Sequence, residues 1–290
     1  MSDAKQEPLE LPEPLAGEGV PVAATPGDEF AAGAVDHLQL TQAPVEAFPP
    51  WSGWDVLAVV GFTTASIFVC SMIALGIARL ATAGRHVTVS ELASNTSVII
   101  GAQIAAYPVV ILFMMTLVGG KSGEKFWQAI RWRWPGAAGL RFLISGLALA
   151  LMVEFISRFL PIPPSLPVDK YFGEITGAYL MSAFGVTLAP LLEELFFRGM
   201  LYPLMRRTAG VTVAVLFTAT MFALIHGAQL GYAWAPLLSI FVVGVVFTLV
   251  REKTGSVAAS FLTHCGYNLA LFGMLWVGSD HFRHLEKVTN

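Results

Sequence analysis

Apolar runs long enough to cross the roughly 30 Å hydrocarbon core of a bilayer recur along this chain from Trp51 onward, each closed by charged residues, Gly or Pro. In hydrocarbon a backbone must satisfy its own polar groups, which leaves helices and closed barrels. Runs of about 20 residues, rather than alternating stretches of about 10, select the helix. Seven can be placed, at about 55–78, 97–118, 140–160, 177–204, 211–227, 236–250 and 255–277, the fifth and sixth being short. Composition agrees. The 290 residues are 55% hydrophobic and 13% charged, with a mean hydropathy of +0.67, whereas a soluble domain carries roughly 25% charged residues. The expected fold is all-α: a polytopic transmembrane bundle of about seven to eight membrane helices.

Residues 1–50 break this pattern. They hold eight prolines, nine acids and one lysine, Lys5, a composition that buries too little apolar surface to offset the entropy of ordering. A disordered acidic tail is expected there. It lacks a basic n-region followed by an apolar stretch, so the first membrane segment is expected to direct insertion. N-terminal helices are expected over 51–175, a catalytic core over 176–278 and a short tail over 279–290. Cys70 and Cys265 fall inside apolar runs and offer neither a disulfide framework nor a CxxC metal site.

Cytoplasmic loops are enriched in Lys and Arg. Lys121, Lys125, Arg131, Arg133, Arg141, Arg206, Arg207, Arg251 and Lys253 fall on one side of the counted segments, against Arg79, Arg85, Lys170, Arg283 and Lys287 on the other. This bias predicts a cytoplasmic N-terminus, and the short loops fit a bacterial inner membrane. Trp127, Trp132 and Trp134 interleave with basic residues between two spans, a pattern for an interfacial stretch at the headgroups rather than a nucleic-acid surface.

Charged residues stand where a membrane disfavours them. The fourth run contains Glu193, Glu194 and Arg198, and three ionised residues facing lipid would cost on the order of 8–10 kcal/mol. They must face a polar interior, be paired or be protonated. Glu194 and Arg198 stand four apart, in the order that favours an ion pair. Glu193 is left without a local partner and is the carboxylate free for general-base chemistry. Pro190, one turn earlier, removes a backbone bond and can kink the helix so that water reaches these carboxylates. His226 ends the fifth run, and His264 and Asn268 share one face of the seventh. Counting 1.5 Å per residue places Glu193, His226 and His264 at one depth. Glu154 and Arg158 read as a structural ion pair at the end of the third run.

A carboxylate, two imidazoles and an amide can activate water and stabilise the oxyanion it creates, which is peptide hydrolysis without a covalent intermediate. The same Glu193, His226 and His264 could instead hold a catalytic Zn2+. Sequence leaves both routes open. Glu-Glu-x-x-x-Arg at 193–198, Phe-x-x-x-His at 222–226 and His-x-x-x-Asn at 264–268, in this order on successive membrane segments, resemble the motifs of the CPBP family. That family comprises type II CAAX prenyl endopeptidases and relatives linked to bacteriocin processing. The resemblance implies an intramembrane endopeptidase around an active-site cavity, acting near the membrane surface on hydrophobic or lipidated peptides. It further implies Glu193 as base, His226 as its helper, His264 with Asn268 as oxyanion site, and Glu194 with Arg198 holding geometry.

Rival readings are a catalytically silent family member acting as scaffold, immunity factor or regulator, and a proton-coupled transporter, although no internal repeat supports the latter. No HExxH occurs. Gly120-Lys121-Ser122 ends like a phosphate loop, but Met115 stands where its first glycine belongs. Asn95-Thr96-Ser97 abuts a span and reads as a polar helix start.

Overall fold

The computed structural model describes residues 49–284. All but the last two residues of the expected acidic tail, and positions 285–290, lie outside the described residues. Secondary structure in the described part is helical, with no strand among those residues. The helices are α1 (Gly53–Ala81), α2 (Val89–Ser94), α3 (Thr96–Ser122), α4 (Phe126–Ala129), α5 (Gly139–Ser157), α6 (Ile175–Val186), α7 (Leu188–Glu194), α8 (Tyr202–Ile225), α9 (Trp234–Thr254) and α10 (Val257–Gly278), with a π-helical segment at Leu195–Leu201 joining α7 to α8.

Five stretches are long and apolar enough to cross a membrane: Gly53–Ala81, Thr96–Ser122, Gly136–Ser157, Ile175–Ile225 and Trp234–Thr254. Five is fewer than the expected seven to eight, for two reasons. The runs expected at 177–204 and 211–227 belong to one 51-residue stretch, broken at Gly210, whose φ of 78° and ψ of 172° are non-helical and open essentially to glycine alone. Glu193 and His226 flank Gly210 and line one cavity, whereas a straight helix between them would hold them about 50 Å apart; the chain therefore folds back at this glycine. The run expected at 255–277 is α10, which at 22 residues is long enough but carries Thr263, His264 and Asn268 among its apolar residues.

The outermost helix, α1, buries only Asp55, Val56 and Val59 and turns Phe68, Ile77 and Leu80 outward, as a helix facing lipid does. Its first turn is tied to the end of α3 by a 2.8 Å ion pair between Asp55 and Lys121. Asn95 caps α3 by accepting from the N–H groups of Ser97 and Val98, so the expected polar helix start is a helix cap.

α10 packs along α5 at backbone contact. A Cβ at Gly146 would lie 2.0 Å from the Thr263 carbonyl oxygen, and one at Gly266 would lie 2.1 Å from that of Leu143. The start of α10 is held by the tryptophan-rich stretch. The Val257 N–H donates to the Arg131 carbonyl, and the Ser256 hydroxyl donates to that of Arg133. Phe126 and Ile130 of this stretch are buried in the main core, while Trp134 points outward. It is thus more than a ribbon at the headgroups: it clamps the helix that carries His264.

The basic residues gather at this same end. Arg206 pairs with Glu252 at 3.1 Å, Tyr202 donates to Glu252 at 2.5 Å, and the Trp51 indole donates to the Met200 carbonyl at 3.0 Å. One expectation fails. No ion pair joins Glu154 and Arg158; both are exposed and Arg158 already ends the helix, where a solvated pair of long side chains gains little.

Candidate active site

Two interruptions of helix shape the site, and both follow from local sequence. Pro190 has no N–H for the carbonyl one turn back, at Val186, and α6 ends there; Thr187 takes φ −120° and ψ −74° before α7 begins. Asn268 of α10 fills part of this gap, its Nδ2 donating to the Gly185 carbonyl at 2.7 Å. Immediately after Glu194 the chain widens into the π-helical segment Leu195–Leu201, a departure that occurs disproportionately at functional positions.

The adjacent glutamates go opposite ways. Glu194 is completely buried. Its Oε1 accepts from Arg198 Nη1 at 2.8 Å and from His264 Nδ1 at 3.0 Å, and its Oε2 accepts from the Ser260 hydroxyl at 2.6 Å. Arg198, equally buried, also donates to the Gly244 carbonyl at 3.0 Å and to the Thr248 hydroxyl at 3.4 Å. Its guanidinium lies over the rings of Phe222 at 4.5 Å, Phe247 at 5.4 Å and Phe197 at 5.8 Å. This charge is therefore paired, hydrogen-bonded and caged by aromatic faces, the conditions under which a buried ion pair is tolerated.

Glu193 keeps 19% of its side chain exposed, toward a cavity of about 370 Å³ that His226, His264 and Asn268 also line. Its Oε2 stands 3.7 Å from His264 Nε2. The lining continues past the site to Val168, Phe172, Gln229 and Leu275.

Hydrogen bonding sets which ring nitrogens face the cavity. His264 Nδ1 meets a carboxylate and His226 Nδ1 meets the Phe222 carbonyl at 2.8 Å. Both Nδ1 atoms must therefore carry hydrogen, and a neutral ring presents a lone pair at Nε2. The His264 ring is further fixed by stacking on Phe247 at 4.5 Å. Phe222 serves three neighbours at once: it covers Arg198, its ring meets His264 edge-on at 5.7 Å, and its carbonyl orients His226. That is a physical reason for a phenylalanine one turn before this histidine.

The six residues singled out by sequence thus lie in one place. Glu193, His226, His264 and Asn268 form the cavity wall, and Glu194 and Arg198 stand behind it. Among the described residues no three His, Cys, Asp or Glu side chains stand together as a metal-ligand set. Sequence reasoning missed Ser260, Thr248 and Gly244, which complete the support of Glu194 and Arg198. Ser260 had a signal: with His264 and Asn268 it forms an i, i+4, i+8 polar stripe on α10.

Residues 175–270 match the family model described as Type II CAAX prenyl endopeptidase Rce1-like. No curated protein and no solved structure matches the chain.

Proposed function

From a chain whose residues 175–270 belong to the type II CAAX prenyl endopeptidase family, we propose an integral membrane endopeptidase in which Glu193 activates water against a peptide bond. The observation that carries this reading is the division of labour between neighbours: Glu194 is consumed by Arg198, His264 and Ser260, while Glu193 faces the cavity with His264 Nε2 3.7 Å away. Water held there gives its proton to Glu193 as its oxygen bonds to the carbonyl carbon. Glu193 returns that proton to the amide nitrogen as the C–N bond breaks. His226 supports the water through Nε2. Asn268 donates to the developing oxyanion with its remaining amide N–H, and His264 does so from Nε2 when doubly protonated. Such pre-aimed donors typically supply the largest catalytic contribution.

The substrate class proposed is a peptide with an apolar or lipidated end, of the CAAX type or similar, presented from the bilayer near the membrane surface. The bilayer and this peptide are the partners. We assign the Lys/Arg-rich end, with the N-terminus, to the cytoplasm of a bacterial cell, a reading supported by the bias of Lys and Arg between the loops.

The test is cleavage of a fluorogenic prenylated CAAX-type peptide, with an unprenylated control, by the purified full chain in detergent. Wild type is compared with Glu193→Ala and His264→Ala, each with and without a chelator. Loss of cleavage in both variants, with a wild-type rate indifferent to chelation, is expected. Inactivation by the chelator overturns the metal-free route. No cleavage of either peptide by folded wild type overturns the protease assignment.

A further inference from the structure

A second cavity, of about 430 Å³ and mostly apolar, lies between α1 and the α7–α8 region, with Val59, Thr63, Leu192 and Phe196 in its wall. It and the cavity of the candidate active site share two lining residues, Glu193 and Tyr107. Tyr107 is on α3, outside the part of the chain that matches the family. Its ring rests against Phe184 at 5.2 Å, and it makes no hydrogen bond to another described residue.

The motif residues that share the cavity with Glu193 have few donors left to give. His226 and His264 each spend Nδ1–H on an acceptor behind the wall and, when neutral, turn lone pairs to the cavity; Asn268 spends one amide N–H on Gly185. The carbonyl oxygen of a bond under attack gathers negative charge and needs donors aimed at it. A phenol with a free O–H beside the general base meets that need.

We propose that Tyr107 is a further catalytic residue, its hydroxyl donating a hydrogen bond to the scissile carbonyl oxygen while Glu193 takes the proton from water. This rests on the endopeptidase reading above. As the water oxygen bonds to the carbonyl carbon, the C=O π pair moves onto the oxygen that Tyr107 faces. Tyr107 keeps its proton throughout, and the C–N bond breaks with nitrogen protonated by Glu193.

The experiment compares wild type, Tyr107→Phe, Gly101→Ala and Glu193→Ala as purified full chains, measuring kcat, KM and the thermal unfolding midpoint. Gly101 is on α3 six residues before Tyr107, lines neither cavity, and has nothing within 4 Å of an added Cβ. Tyr107→Phe removes only a hydroxyl without a hydrogen bond, so folding is unchanged. Its kcat is expected to fall on the order of 10²–10³-fold, as for other oxyanion donors, with KM within about twofold of wild type, whereas Gly101→Ala retains its kcat. Wild-type kcat in Tyr107→Phe, or a loss confined to KM, overturns the proposal while Glu193→Ala remains inactive. Retained cleavage by Glu193→Ala overturns the endopeptidase reading itself.

Discussion

His264 Nδ1 lies 3.0 Å from Glu194 Oε1, and the same oxygen accepts from Arg198 Nη1 at 2.8 Å. One carboxylate therefore neutralises a buried guanidinium and fixes the tautomer of an imidazole whose other nitrogen faces Glu193. Adjacent glutamates, chemically identical, have become a structural anchor and a reactive group because one points into the aromatic cage and the other into the cavity.

Their substitution should separate the two roles. Glu194→Gln leaves Arg198 buried without its counter-charge, and breaking a buried pair from one side typically costs about 3–5 kcal/mol. Glu193→Gln removes a partly buried charge that has no hydrogen-bond donor of its own, so stability is unchanged or rises. Both variants lose cleavage. Unfolding in mixed detergent and SDS micelles, followed by circular dichroism, reads the difference; equal stabilities of the two variants would contradict the assignment.

Arg198→Lys tests the anchor from the other side. Lysine can keep the charge, but it cannot reach Glu194 and the Gly244 carbonyl with the separate nitrogens that Arg198 uses. It also loses the planar face lying over Phe222 and Phe247. A loss of at least about 2 kcal/mol is expected, from one charge-assisted hydrogen bond and one desolvated cation–π contact. Stability equal to wild type would show that charge alone suffices.

Much of this was legible in the sequence because a membrane makes polar residues conspicuous. Glu193, Glu194, Arg198, His226, His264 and Asn268 stand out against runs of Leu, Val and Phe, and helical spacing already paired Glu194 with Arg198. Less legible was which groups each polar residue spends itself on. Asn268 reads as an oxyanion donor, yet one of its N–H groups supports the Gly185 carbonyl beside a proline-induced break, a contact between segments more than 80 residues apart that no local pattern encodes. The fold-back at Gly210 falls where the sequence already separates the runs at 177–204 and 211–227, with Arg206 and Arg207 between them, and a glycine at φ 78° makes the break. Ser260 escaped notice because a lone serine hydroxyl in an apolar helix usually bonds to its own backbone, and Tyr107 because it stands on α3, away from the segments that carry the motifs.

Asn268→Leu should act on both its contacts. The Gly185 carbonyl loses its donor at the break between α6 and α7, at about 1–3 kcal/mol for an unsatisfied buried group, and the cavity loses an amide. Asn268→Gln keeps the amide but is one methylene too long for both contacts at once. Reduced stability together with reduced kcat is expected for Leu. Loss of kcat at unchanged stability would mean that the contact with Gly185 contributes nothing to the fold.

The glycines of α5 and α10 offer a test of whether the site depends on backbone contact between helices. Alanine at Gly266 would place its Cβ 2.1 Å from the Leu143 carbonyl oxygen, and alanine at Gly146 would place one 2.0 Å from that of Thr263, one residue before His264. Neither oxygen can move without moving its helix, so the helices must separate, with a penalty of at least about 1–3 kcal/mol for overpacking. The shift carries His264 away from Glu193 and Glu194. Gly101 of α3 is the control, since nothing lies within 4 Å of its added Cβ and alanine there gains up to about 1 kcal/mol of helix propensity. Unfolding midpoints and cleavage rates should therefore fall together for Gly146→Ala and Gly266→Ala and hold or rise for Gly101→Ala. Full activity in Gly266→Ala would show that His264 is positioned by Glu194 and Phe247 alone.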